Sequence, residues 1–153
     1  MEPTIPERTA RITRSVLRLC LAAGWAPIAE VLLPTGRRLD VLALRPDGGF
    51  TAIEVKSCAR DYLSDGKWEE YRQWCDRLYF AVDPDFPHDL LPPDTGMILA
   101  DPWEAAIQRE APLHALPPAR RRAVLHRFAS LAATRLVVAR DPGARMTAEL
   151  APE

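Results

Sequence analysis

Two apolar runs on either side of a turn signal place the tightest limit on how this chain can fold. Arg37-Arg38-Leu39-Asp40-Val41-Leu42-Ala43-Leu44 and Thr51-Ala52-Ile53-Glu54-Val55-Lys56-Ser57 flank Pro46-Asp47-Gly48-Gly49. Short runs of aliphatic and β-branched residues read as strands, and an Asp-Gly turn between them reads as a hairpin. Ile28 to Leu33 reads as an earlier strand, joined to the hairpin by the turn Pro34-Thr35-Gly36-Arg37. Three strands linked by tight turns must form an antiparallel meander.

The flanking segments complete the fold class. From about Glu7 to Ala23 the apolar positions Ile12, Val16, Leu17, Cys20, Leu21 and Ala23 recur at helical spacing, and Gly24 is a natural stop. A second helix is expected from Leu63 to about Cys75, carrying Trp68, Tyr71 and Trp74. Leu78 to Val82 and Gly96 to Ala100 read as buried strands, the latter stopped by Asp101-Pro102. The last helix starts at Pro117-Pro118, where proline suits a first turn, and runs to about Val138. The helix after the meander then serves as a crossover to a parallel strand, giving an α/β architecture with one mixed sheet flanked by helices. One domain over residues 7–140 is expected, with loose tails at 1–6 and 141–153.

Composition narrows the function classes. Hydrophobic residues make up 48% and charged residues 27% of 153, an ordinary globular balance with enough length for a core. The net charge of -1 exerts no global pull on nucleic acid, so any DNA affinity must come from local patches. No run approaches the roughly 20 apolar residues that a membrane span needs. The N-terminal stretch shows no basic region followed by an apolar one, so a cytoplasmic location is expected. Cys20, Cys58 and Cys75 are widely spaced, and His88, His114 and His126 form no ligand pattern with them. That argues against zinc and against a disulfide framework.

The chemistry concentrates in the hairpin. Side chains alternate along a strand, so Glu54 and Lys56 share a face, with Cα atoms roughly 6.5–7 Å apart. Asp40 can join them from the neighbouring strand about 5 Å away. An unpaired carboxylate in an otherwise apolar strand is costly, and a bound cation relieves that cost. Hard carboxylate oxygens suit magnesium or manganese, and a lysine beside the cation can orient a water, deprotonate it when neutral, or stabilise phosphate charge when protonated. This is the arrangement expected for cutting phosphodiesters. A structural ion pair, Glu54 with Lys56 or Asp40 with Arg38, is the competing reading of the same residues.

Asp40 and Glu54-x-Lys56 resemble the PD-(D/E)xK phosphodiesterase superfamily, with Leu39-Asp40 standing where that motif has Pro-Asp. The longer string is similar to the MmcB family of bacterial DNA repair proteins. It runs from Arg37 to Leu44, through Glu54-Val55-Lys56-Ser57, to Lys67-Trp68-x-x-Tyr71-x-x-Trp74-Cys75-Asp76-Arg77-x-Tyr79-Phe80-Ala81-Val82. It continues through Phe86-Pro87 and Thr95-Gly96 into the arginine-rich final helix. The resemblance implies a restriction-endonuclease-like αβββαβ core and a magnesium-dependent DNA endonuclease, manganese being possible, that acts in DNA damage repair. It implies catalytic roles for Asp40, Glu54 and Lys56, and a metal set of Asp40, Glu54 and Val55. Glu30, or more weakly Glu7, would be an added acid. A non-catalytic DNA-binding or recruiting factor is the alternative.

DNA is the expected partner, with Arg37, Arg38, Ser57, Arg60, Lys67 and Tyr71 as the residues placed to reach phosphates. Lys67 and Tyr71 are four apart and would share a helical face, though an amphipathic helix that merely packs Tyr71 explains them equally. A homodimer would suit a two-strand cut, and other repair proteins are conceivable partners. Arg120, Arg121, Arg122, Arg127 and Arg135 give the last helix a basic side, read here as a solvated face before a DNA contact. Trp68 and Trp74 offer a base-stacking surface or, for at least one of them, core packing.

Overall fold

The hairpin forms the middle of a six-stranded sheet. In the computed structural model, which describes residues 1–64, 66 and 68–146, the strands are β1 (Ala26–Leu32), β2 (Arg38–Leu44), β3 (Phe50–Lys56), β4 (Arg77–Val82), β5 (Gly96–Ala100) and β6 (Ala105–Arg109). They lie side by side in chain order. The pairs β1–β2 and β2–β3 are antiparallel, β3–β4 and β4–β5 parallel, and β5–β6 antiparallel. This is the mixed sheet expected from a meander followed by crossovers. Every residue of β3 is buried, as befits an inner strand covered on both faces.

Strand alternation splits the core into two layers. On one face helix α1 (Ile5–Ala22) packs Ile12, Val16 and Cys20 against Val41, Ile53, Val55, Tyr79 and Ile98. On the other, helix α3 (Pro118–Arg140) packs Val124, Phe128 and Leu131 among Leu42, Phe50, Ala52 and Leu78. Tyr71 and Cys75 join that second layer.

Three elements differ from the sequence expectation. Helix α1 begins inside the stretch read as a tail. Thr4 accepts from the Glu7 N–H, and the Glu7 carboxylate accepts from the Thr4 N–H at 2.7 Å, a capping box that starts the helix at Ile5. The expected stop at Gly24 is present, at φ 80°, with the Trp25 N–H closing on the Cys20 carbonyl. The second helix comes in two pieces, α2 (Ala59–Ser64) and a 3-10 helix (Trp68–Trp74). Gly66 lies between them, and glycine is a poor residue for a helix interior. Strand β6 has no strong signal of its own. It is a short edge strand of alternating half-buried and exposed residues, held by pairing with β5. Of the tail expected at 141–153, residues 147–153 lie outside the described residues.

Asp76 fastens the second layer to the sheet. Its carboxylate accepts from the N–H groups of Phe50 (2.7 Å) and Leu116 (2.8 Å), and takes both Arg121 nitrogens at 2.7 and 2.6 Å. Burial alone pushes this carboxyl up, but the Arg121 and backbone hydrogen bonds outweigh it and hold Asp76 below the usual carboxylate range. Arg121 is thus not part of a solvated basic face. Arg127 likewise donates to the Leu32 carbonyl at 2.9 Å, and Arg135 to those of Ala29 and Glu30. Several arginines of α3 therefore staple the helix to β1 and, through Asp76, to the start of β3. No helix among the described residues is long and apolar enough to cross a membrane.

Candidate functional site

The site arises where β2 and β3 part company. Their pairing runs from Leu44↔Phe50 to Val41↔Ile53 and stops there. Beyond it β2 follows β1 to Leu32↔Arg38, while β3 follows β4 to Lys56↔Val82. The two strands form a fork, and backbone groups inside a fork need new partners. Acid side chains supply them. The Asp40 N–H donates to Glu54 Oε1 at 3.0 Å, and the Val55 N–H donates to Asp40 Oδ2 at 2.8 Å. Each carboxylate thereby closes a gap that the ladder leaves open.

A change of face marks the same level. Leu39 packs in the α3 layer and Val41 in the α1 layer, although residues two apart in a regular strand share a face. In β1 the residue across from Asp40 is Glu30, between the pairs Ala29↔Val41 and Val31↔Leu39. Glu30 has a φ of 55°, a left-handed conformation unusual for a residue with a side chain. Arg135 holds this twist from behind through the two adjacent carbonyls, at 2.6 Å for that of Glu30.

Glu54 and Lys56 are buried and Asp40 is half-buried. Burial pushes the Asp40 carboxyl above the usual carboxylate range, and the Asp61 carboxylate adds to the rise. The Val55 N–H and the charges of Lys56 and Arg38 act the other way. These groups meet in a cavity of about 780 Å³. Asp40, Glu54, Val55 and Lys56 line its floor, and Glu30, Arg37, Arg38 and Tyr71 line one side. Thr9, Thr13 and Arg14 of α1 line the other.

The remaining candidates scatter. Arg37 reaches the cavity but pairs with Glu70 at 2.8 Å. The Tyr71 hydroxyl donates to the Arg38 carbonyl at 3.4 Å, and its ring is buried. Ser57 is buried and accepts from the Thr9 hydroxyl at 3.3 Å, so it ties β3 to α1. Arg60 is exposed and does not line the cavity. Lys67 lies outside the described residues. Glu7 serves as the α1 cap. Trp68 packs edge-on against Phe80 at 5.5 Å, and Trp74 lies under the Arg120 guanidinium at 4.0 Å. His114 and His126 are exposed.

Two features escape sequence reading. Asp61 lines the cavity because α2 starts only three residues after Lys56, and no cap or periodic run announces that helix. The α1 wall is equally hidden. Thr9 and Thr13 read as ordinary positions of an amphipathic helix until the sheet is placed beneath them.

The donor set suits a hard divalent cation held sparingly by protein. Among the described residues no three His, Cys, Asp or Glu side chains converge as a ligand group. Asp40 and Glu54 supply two carboxylates, and magnesium commonly takes one or two carboxylates while keeping several waters. Burial raises the Asp40 pKa, and a cation bound beside it would act the other way, favouring the charged carboxylate.

A family model described as "DNA repair protein MmcB-like" matches residues 1–143. A solved structure of a protein of unknown function from Silicibacter pomeroyi superposes with a TM-score of 0.86. It is 40% identical, over 97% of this chain and 100% of the other. No curated protein matches.

Proposed function

This chain belongs to the MmcB-like DNA repair protein family, and we propose that it hydrolyses phosphodiester bonds of DNA at the β2–β3 fork, as a PD-(D/E)xK-type endonuclease. The observation that carries this reading is the meeting of Asp40, Glu54 and Lys56 on the floor of one open cavity. The two N–H groups of the fork need only acceptors, which uncharged polar side chains can supply, so two carboxylates and an ammonium are costly to desolvate there for structure alone.

Magnesium, or manganese, is the cofactor this donor set fits. Asp40, Glu54 and the Val55 carbonyl would hold it, with Glu30 the nearest added acid across the strand. When bound, the cation supplies Lewis acidity and charge neutralisation at the scissile phosphate. The chain's own groups do the rest. Asp40 and Glu54 are fixed by the hydrogen bonds they accept, so their oxygens are set before substrate arrives. Lys56 stands beside Asp40 with its charge shielded from bulk water, where it orients the attacking water or offsets charge growing on the phosphate. Arg38 and Arg14 hold flanking phosphates at the mouth. A homodimer would give two-strand cuts, and the cytoplasm is where such an enzyme meets bacterial DNA.

The test is incubation of the purified protein with plasmid, single-stranded and branched DNA in magnesium, manganese or EDTA. Metal-dependent cleavage is expected, reduced at least about 100-fold in Asp40→Asn and Lys56→Met. Cleavage that survives in both variants overturns the assignment. Salt-sensitive binding with no cleavage would make the chain a DNA-binding repair factor instead.

A further inference from the structure

The burial of the reacting groups and a second hollow beside them bear on which form of DNA can enter. Glu54 is 3% exposed and Lys56 6%. They lie at the bottom of a cavity of about 780 Å³, between α1 and the β1–β2 turn. That is the size of a small-ligand pocket, roughly 300–1,000 Å³. A duplex, whose major groove alone is about 12 Å wide, is too thick to enter such a cavity whole, so only the strand nearest the mouth can approach its floor. A strand that has left its complement can pass in.

A second hollow of about 540 Å³ continues from the first. The two share Gly36 and Arg37, and the hollow is completed by Thr35, Glu70, Gln73 and Trp74. Arg37 is fixed at the junction by its 2.8 Å pair with Glu70. Trp74 is braced by Arg120, and its indole N–H is buried without a hydrogen-bond partner. An indole, a guanidinium plane, an amide, a hydroxyl and a carboxylate are the groups that stack on and edge-bond to an unpaired base. Six arginines that could otherwise track duplex phosphates are engaged within the fold. Arg77, Arg109, Arg127 and Arg135 donate to backbone carbonyls, and Arg72 and Arg121 to carboxylates.

We propose that the substrate is DNA already unpaired, a single-stranded stretch or flap, with the scissile phosphate at the fork and a neighbouring base in the hollow bordered by Arg37, Gln73 and Trp74. This rests on the reading of the fork as a DNA site, and goes beyond it by naming the form of DNA. The shared pair Gly36-Arg37 is then the sill over which the strand bends.

Fluorescence anisotropy with labelled single-stranded, forked and blunt duplex oligodeoxynucleotides tests it, with EDTA present so that nothing is cut. Single-stranded and forked probes should bind at least about tenfold tighter than the duplex. Trp74→Ala and the exposed Gln73→Ala should each weaken the single strand about three- to tenfold, with the duplex little changed. Trp74→Phe should restore most of the loss if stacking is the cause. Because Gln73→Ala touches no packed group, it keeps the test informative where Trp74→Ala unfolds. Equal or tighter duplex binding overturns the inference, even where Asp40-dependent cleavage is found. Single-strand preference without cleavage upholds it and sinks the catalytic reading. Equal affinity for an oligoribonucleotide, or no binding of any probe, also overturns it.

Discussion

Asp40 and Glu54 complete each other's strands: the backbone of Asp40 bonds the Glu54 carboxylate at 3.0 Å, and the Asp40 carboxylate bonds the residue after Glu54 at 2.8 Å. The same two side chains thus hold the fork open and present oxygens to the cavity. Structure and proposed chemistry can be separated by substitution. Asp40→Asn keeps an oxygen for the Val55 N–H and should change stability by less than about 1 kcal/mol while abolishing cleavage. Asp40→Ala leaves that N–H without its partner and should cost about 1–3 kcal/mol. Urea denaturation of the two variants beside wild type checks this. Equal stability of the alanine and asparagine forms would show that the bond contributes nothing.

Asp76 should govern acid stability. Its pKa is lowered in the folded state, so its contribution is fully present above the unfolded value of about 3.9 and disappears as pH falls through the folded value. Asp76→Asn should cost about 2–4 kcal/mol at pH 7, since it breaks the paired contact with Arg121 beside the buried N–H donors of Phe50 and Leu116. The gap between wild type and variant should narrow steadily below about pH 4. Denaturation midpoints measured from pH 7 down to pH 2 give the answer, and a gap independent of pH would refute the assignment.

Glu30 separates backbone conformation from carboxylate chemistry. A left-handed φ costs a non-glycine residue about 1–2 kcal/mol. Glu30→Gly removes that strain at an entropic cost of similar size and should leave stability within about 1 kcal/mol of wild type. Glu30→Gln keeps the strain and removes the charge. If the carboxylate serves as an added acid, both variants need more magnesium for half-maximal cleavage. A metal titration of the two side by side decides it, and an unchanged requirement in both removes Glu30 from the site.

Gly96 is required by a close approach rather than by its φ. A Cβ there would sit 2.2 Å from Cδ1 of Tyr79, a ring with no exposed surface. That ring is pinned by its hydroxyl, which donates to Glu110 at 2.6 Å and accepts from Arg45 at 3.0 Å. Gly96→Ala should therefore destabilise by at least about 1–3 kcal/mol, the cost of overpacking a filled core. A thermal melt reads it directly, and an unshifted midpoint would mean that the β4–β5 contact yields more readily than this packing implies.

The order of elements, the hairpin and the mixed sheet were legible in the chain because each rests on local signals. Alternation in Leu39–Leu44 and Ala52–Lys56, the Asp47-Gly48 turn and the helical spacing of Ile12, Val16 and Cys20 need no partner to be read. The break at Gly66 is a single-residue signal inside an otherwise helical pattern, and the start of α1 lies in the capping box of Thr4 and Glu7, ahead of the periodic run. β6 was not legible, since an edge strand of five residues owes its existence to β5 rather than to its own propensity.

The sequence alone determined which residues carry charge in the hairpin and that Asp40, Glu54 and Lys56 come from adjoining strands. Tertiary structure decided what those charges face. Where β2 leaves β3 to follow β1, how α1 roofs the gap with Thr9 and Thr13, that α2 turns Asp61 into the cavity and that α3 aims Arg127 and Arg135 at β1 carbonyls all depend on contacts between residues far apart in the chain. Local patterns record a strand's faces, but a fork is a relation among four strands, and its geometry is fixed only when all of them pack at once.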